Sequence, residues 1–574
     1  MVSTGFHRYF TTTLAGSFAF VWSSLMLCGP AFAHGANHSE DLPSDEELIL
    51  DPHDPATLQS LIIPPTRGDY EVWMSDQANT LGITPTTPTG THGGKIRIYD
   101  SADLELASPI NNPLVLDVTT DLFPNADLTT NAHVSRIHGI LPSPDSRYMA
   151  LNFVTSGHLG IVDAETKKSV CLFRTTQTTT GRQNHMSFWT PSGNQLIVAN
   201  QNGRILERVD VRRNSSGSVT DFVFNAAASL DFVGGSGRII TQPLAVAMDA
   251  SGAINCKVES QVADNQPTTT PNNILKQAPA SRPLNSVICP IPSSTGRHAF
   301  ASLGGGGMFV VDVLSTPMAI VGEYDLSTVN AAGCGGMESN GYMHMSTGTP
   351  GPNISEYTVY RFGLDYPSWP LANSPNTPAP IAVWQDPDNG KVAGRDIPAG
   401  TNRDAHGMVL VGDELHQFDR IRNVVDIFKM EPPWDQLSPH ITYDLTTSRM
   451  CGTTAGAISS NDPTPDLGDG APSGESIYMA LRGPFPLTIS HAASGSCPGL
   501  GIIRKDPLTQ QWTLASVFPT TVMDATGTKN LSDPHAVIVR RNTVPGPLPV
   551  LGFGVAFRWS RHLRRRLDSA RRSA

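Results

Sequence analysis

The chain has 574 residues, 51 of them Gly and 46 Pro, with 16% charged and 39% apolar. That length excludes one small domain, about one Gly or Pro in every six residues excludes a long helical or coiled-coil protein, and the apolar fraction excludes wholesale disorder. The formal net charge is −11, with +1 in the first 33 residues and +6 in the last 17, which leaves −18 on the body; so acidic a body lacks the clustered Lys and Arg that grip phosphates, which excludes nucleic acid as a partner.

Residues 1–33 read as a secretory signal peptide. Arg8 supplies the positive charge, Leu14 to Leu27 the apolar stretch, and Ala31-Phe32-Ala33 a small-x-small cleavage site. The apolar stretch is short for a membrane span. Residues 34–67 are expected to be disordered. Export places the six remaining cysteines (Cys171, Cys256, Cys289, Cys334, Cys451 and Cys497) in an oxidising compartment, where three disulfides can form. Cys256 and Cys289 bracket a polar insert at 261–283, and Cys451 and Cys497 bracket another loop-rich stretch, so these two pairs are expected. No Cys-x-x-Cys occurs, which argues against a zinc ribbon.

Residues 68–543 alternate short apolar runs with Gly, Asn, Ser and Asp turns, which reads as strands and hairpins. YEVWMSDQ (70–77) and KIRIYD (95–100) are neighbouring strands of one unit. A longer pattern then recurs: SPDSRYMALNF…GHLGIVD at 143–163, TPSGNQLIVANQNGRILERVD at 190–210 and IPSSTGRHAFASLGGGGMFVVD at 291–312. From the Pro to the closing Asp the spacing is 19, 19 and 20 residues. Looser copies fall at 343–362 and 404–429, and a copy at 471–505 carries an insertion. One such unit cannot bury its own apolar face, so the copies must stack on one another.

The SPDxRY…D spacing resembles the YVTN/lactonase-like group of β-propellers. The resemblance implies an all-β, seven-bladed β-propeller over roughly residues 68–541. HAVIVRR (535–541) would then supply the missing inner strand of the N-terminal blade and close the ring, which removes exposed strand edges. A lactonase-like hydrolase is one activity the resemblance implies.

One position recurs six residues before the turn Pro. It is His138 before Pro144, His185 before Pro191, Ser286 before Pro292, His344 before Pro350 and Asp466 before Pro472. Gly412 marks the turn that gives His406, and Asp533-Pro534-His535 gives His535 by analogy with RIHGI at 136–140. In a propeller the start of the innermost strand lines the central channel, so these seven residues are expected to ring one mouth of it. Neutral imidazole is a common metal ligand, which makes His138, His185, His344, His406 and His535 candidates for holding Cu, Zn or Fe. Nitrous-oxide reductase offers a precedent for histidines in a propeller channel, but its accessory Cys-x-x-x-Cys-x-x-x-His run is missing here. The competing expectation is a polar ring whose nitrogens tie adjacent blades together.

Further along, Gly304 to Gly307 reads as a hairpin turn. Met337, Met343 and Met345 flank His344 near Cys334, a grouping that is either core filler or a soft-metal site. DPDNG (386–390) and NDPTPDLGDG (461–470) are acidic loops where Ca²⁺ is conceivable and Asx turns are the commoner use. No Gly-x-Ser-x-Gly, no His-Glu-x-x-His and no strand-linked Gly-x-Gly-x-x-Gly occurs.

The last segment, residues 544–574, contains VPGPLP, an apolar stretch and an Arg cluster (Arg564, Arg565 and Arg566). That order resembles the PEP-CTERM class of bacterial sorting signals, in its cyanobacterial form. It implies a transient stay at the membrane, processing by an exosortase-type enzyme, and a destination in the cell envelope or outside the cell. The functional expectation is a monomeric binding platform of the envelope or extracellular matrix with protein or polysaccharide partners; the alternative is a metal-dependent oxidoreductase acting through the His-lined channel.

Overall fold

Strands here are apolar on both sides because each blade is covered by two others. In Gln195–Asn200, Leu196 and Val198 pack towards one neighbouring blade and Ile197 and Ala199 towards the other. Side chains alternate across a strand, so one short run of apolar residues feeds two interfaces. The computed structural model describes residues 68–78, 92–124, 133–249, 251–264, 284–329, 332–347, 358–366, 378–385, 405–420, 422–433, 436–451, 463–485, 495–524 and 526–542.

These residues form a seven-bladed β-propeller. Blade one runs inside to outside as Pro534–Arg541, Tyr70–Asp76, Lys95–Asp100 and Leu114–Asp117, so both ends of the chain share one sheet. Blades two to seven are four consecutive antiparallel strands each, beginning with Ile137–Pro142, Asn184–Trp189, Ser286–Pro292, Ala332–Ser339, Ala405–Val411 and Pro465–Gly470. The first strand of each blade touches the first strand of the next all the way round. Every blade-to-blade interface has its own buried apolar cluster, such as Trp73 and Ile98 with Met149 and Leu151 between blades one and two.

Blades two and three carry additions. Leu244–Ala247 extends the outer edge of blade two, and Asn255–Glu259 lies parallel to Val219–Asn225 on blade three. This explains a correction. Cys256 sits at the outer rim and bonds Cys171 of the strand Lys168–Arg174, whereas Cys289 lies on an inner strand and bonds Cys334 of the next inner strand. The expected Cys256–Cys289 pair would have to join rim to channel. Cys451 and Cys497 are bonded as expected.

The inner strands share one irregularity. Ile137 and Ile140 pair with Phe153 and Leu151, so two residues, His138 and Gly139, stand opposite one. The same bulge holds His185 and Met186, Ile288 and Cys289, His406 and Gly407, and Asp466 and Leu467. Blade one bulges at His535, and blade five has three residues there, Gly333, Cys334 and Gly335. A bulge turns its side chain out of the pleat, here towards the channel. Neighbouring bulges then lie close enough to explain one glycine: a Cβ on Gly407 would fall 2.3 Å from the Asp466 carbonyl oxygen.

Two ring assignments need correcting. His344 lies on the second strand of blade five, Tyr342–Thr347, paired with Met337 and Arg361. Pro350, outside the described residues, does not mark the turn of blade five, because the inner hairpin of that blade turns at Asn340-Gly341. Ser286 is two residues early, since Pro292 ends its strand where Pro142 does and Ile288 occupies the His138 position. Residues 1–67, 543–574 and DPDNG lie outside the described residues. The described part of NDPTPDLGDG contains the whole inner strand Pro465–Gly470 and is not a calcium turn. Met343 and Met345 are buried core, and Gly304 to Gly307 connects two strands as a hairpin. No helix among the described residues is long and apolar enough to cross a membrane.

Candidate functional site at the channel mouth

Five of the expected ring residues converge: His138, His185, His406, Asp466 and His535. They meet Gln77, Arg136, Arg420 and Arg482, and none of the nine except Arg136 and His185 is more than 6% exposed. The ring has two halves with different chemistry.

In the first half the protons can be assigned. Gln77 Oε1 accepts from Arg136 Nε and Nη2 at 3.1 and 3.0 Å, so the amide nitrogen must face His138 Nδ1, 2.6 Å away. Gln77 therefore donates, Nδ1 accepts, and the proton of neutral His138 resides on Nε2. That Nε2 lies 3.1 Å from His185 Nε2, which must accept. The remaining nitrogen of His185, Nδ1, is buried with no hydrogen-bond partner among the described residues. Burial pushes His138 well below the ordinary imidazole range and His185 to about 3, so both are neutral near pH 7.

The second half is ionic. Asp466 Oδ1 accepts from His406 Nδ1 and, at 3.1 Å, from Arg420 Nη1; Oδ2 accepts from Arg482 Nη1 at 2.7 Å. Arg482 Nε and Nη2 also grip Asp533 Oδ1 and Oδ2, each at 2.7 Å. Burial opposes ionisation of Asp466, yet Arg420, His535, His406 and Arg482 together hold its carboxyl well below the usual carboxylate range. His535 joins the halves. Its ring stacks on His138 with centroids 3.5 Å apart, and its Nε2 lies 3.7 Å from Asp466 Oδ2.

His406, Asp466 and His535 offer ligand atoms within 4.8 Å of one another. Both oxygens of Asp466 are already engaged, so its role towards His406 is orientation: it holds the Nδ1 proton and turns the Nε2 lone pair away from itself. His138 presents an N–H and not a lone pair to the ring. Gln77, Arg420 and Arg482 escaped the sequence reading. Each directly follows the second strand of its blade, which ends at Asp76, Asp419 or Leu481, and stepping one residue beyond those strands finds all three.

The opposite face carries a groove of about 610 Å³ on blade two, lined by Asp121, Arg147, Asp163, Lys168 and Asp249 among others. Arg147 Nη2 is already paired with Asp163 Oδ2 at 2.6 Å. Asp121 Oδ2 accepts from Asp117 N at 2.7 Å and Asp249 Oδ1 from Ser251 N at 2.9 Å, which fixes both carboxylates at the groove's edge.

No family model matches the chain, and no curated protein matches it. Among solved structures, a periplasmic gluconolactonase of Pseudomonas aeruginosa is 14% identical at a TM-score of 0.42, over 82% of this chain and 99% of that one. A candidate 6-phosphogluconolactonase of Bacteroides fragilis is 13% identical at a TM-score of 0.41, over 83% and 99%. The dihydro-heme d1 dehydrogenase NirN is 12% identical at a TM-score of 0.37, over 85% and 78%.

Proposed function

We propose that this chain is an exported binding platform of the cell envelope that presents the groove on blade two to a hydroxyl-rich polymer, a polysaccharide. The observation that carries this reading is the groove's lining, in which Arg147 is neutralised by Asp163, while each carboxylate oxygen of Asp121 and Asp249 accepts one hydrogen bond from its own loop and keeps a second lone pair for a hydroxyl donor. The N-terminal signal pattern, the C-terminal tail and three disulfides support export. Calorimetric titration with envelope polysaccharide tests it. Binding is expected to weaken at least about tenfold, ~1.4 kcal/mol, in Asp121→Ala/Asp249→Ala. Binding that is absent in the natural chain, or unaltered in the variant, overturns it.

A second reading, a transition-metal centre on His406 and His535, whose ligand atoms lie within 4.8 Å of each other, is favoured by the Asp466–His406 pair, an arrangement that commonly orients metal-bound imidazoles. Mass spectrometry of the purified chain is then expected to find one Cu, Zn or Fe, lost in His406→Ala. A metal-free natural chain ends that reading and leaves the ring as a clasp between blades.

A further inference from the structure

We propose that Cys289, Cys334 and His185 form a redox-gated site for a thiolate-seeking ion of the Zn²⁺ class, closed while the disulfide is intact and open once a dithiol reduces it. This site is separate from the groove and does not depend on it.

The three residues come from consecutive blades. Cys289 stands in the bulge of blade four, Cys334 in that of blade five and His185 in that of blade three, so the fold aims all three at one side of the channel mouth. One ligand atom from each lies within 4.8 Å of the others, and all three residues are buried. Ligand atoms on a tetrahedral ion bound at ordinary Zn–S and Zn–N lengths are about 3.5–3.8 Å apart, so small side-chain shifts suffice. His185 meets His138 Nε2 through its own Nε2 at 3.1 Å, and its Nδ1 is buried with no hydrogen-bond partner among the described residues. Coordination gives that ring a partner it otherwise lacks. The surroundings also suit a soft centre, because Met186, Met308, Met343 and Met345 share the apolar cluster of the two cysteines.

The other two disulfides tie the outer insert and a loop, and neither is grouped with an imidazole among the described residues. The chemistry balances. The dithiol gives two electrons and two protons to the S–S bond and becomes a cyclic disulfide; the ion then displaces both thiol protons. Two thiolates and one imidazole leave the fourth position of a tetrahedral ion open, as in catalytic zinc sites.

Co²⁺ is the spectroscopic probe, added to the full chain before and after anaerobic treatment with dithiothreitol and its removal. One equivalent is expected to produce intense sulfur-to-cobalt charge-transfer absorption in the reduced chain only. Cys289→Ser/Cys334→Ser, which keeps the other four cysteines, is expected to abolish it, and His185→Gln to weaken Co²⁺ affinity at least about tenfold. Cys334→Ser alone, whose fold is checked by circular dichroism, guards against a misfolded double variant and should also lose the band. Absence of the band in the reduced natural chain, or its survival in the double variant, overturns the proposal. Binding by imidazoles alone gives no sulfur band, so the metal reading of the ring fails or succeeds separately.

Discussion

Arg482 joins two carboxylates of adjacent blades, and its position decides what removing it does. Its side chain and those of Asp466 and Asp533 are fully buried, and both acids lose a guanidinium together. Breaking a buried pair from one side strands an uncompensated charge, so Arg482→Met is expected to destabilise the fold by about 3–5 kcal/mol in urea denaturation. The contrast is Arg212 with Glu259, whose side chains are 47% and 39% exposed; there Arg212→Ala is expected to cost less than about 1 kcal/mol. Residue identity alone does not separate these arginines. LRG at 481–483 looks like any strand end, and only its register beside the channel makes the difference.

At the scale of elements, the hairpins were legible and the register was not always. Blades two, three and seven carry a turn Pro two residues after the inner strand, at Pro144, Pro191 and Pro472, and stepping back from it finds His138, His185 and Asp466. Pro-Ile-Pro at 290–292 defeats the same step, because two prolines sit inside the inner strand and shift the count onto Ser286. Blade five defeats it differently: its inner strand AGCGGMES has few apolar residues and no turn Pro, so the neighbouring YMHMST took its place and drew His344 into the ring. The Cys171–Cys256 bond was illegible for a related reason. Periodicity reports strands, and it does not report that a strand after a crossover will lie parallel on another blade's edge.

For the molecule as a whole, the sheer number of buried imidazoles sets the response to acid. His158, His185 and His416 are driven by burial to about 3, His344 to about 4, and His138 and His535 well below the ordinary value. A depressed pKa means that the unfolded chain takes up protons first as pH falls below about 6.5, so stability present at neutrality is lost on acidification. Glu207, raised by burial to about 7, and Asp469, raised by burial to about 6, act in the opposite sense, but they are two against these six and His298, which burial also lowers. Melting temperature is therefore expected to fall from pH 7 to pH 5, with each imidazole contributing up to about 2 kcal/mol; an unchanged or rising value would contradict the buried neutral ring. The shared first blade has its own corollary. Asp76 receives the backbone N–H of Asp533, 457 residues later. A nascent or translocating polypeptide therefore holds an open arc until its final strand emerges, and whatever shields that unfinished edge must wait for nearly the entire chain before letting go.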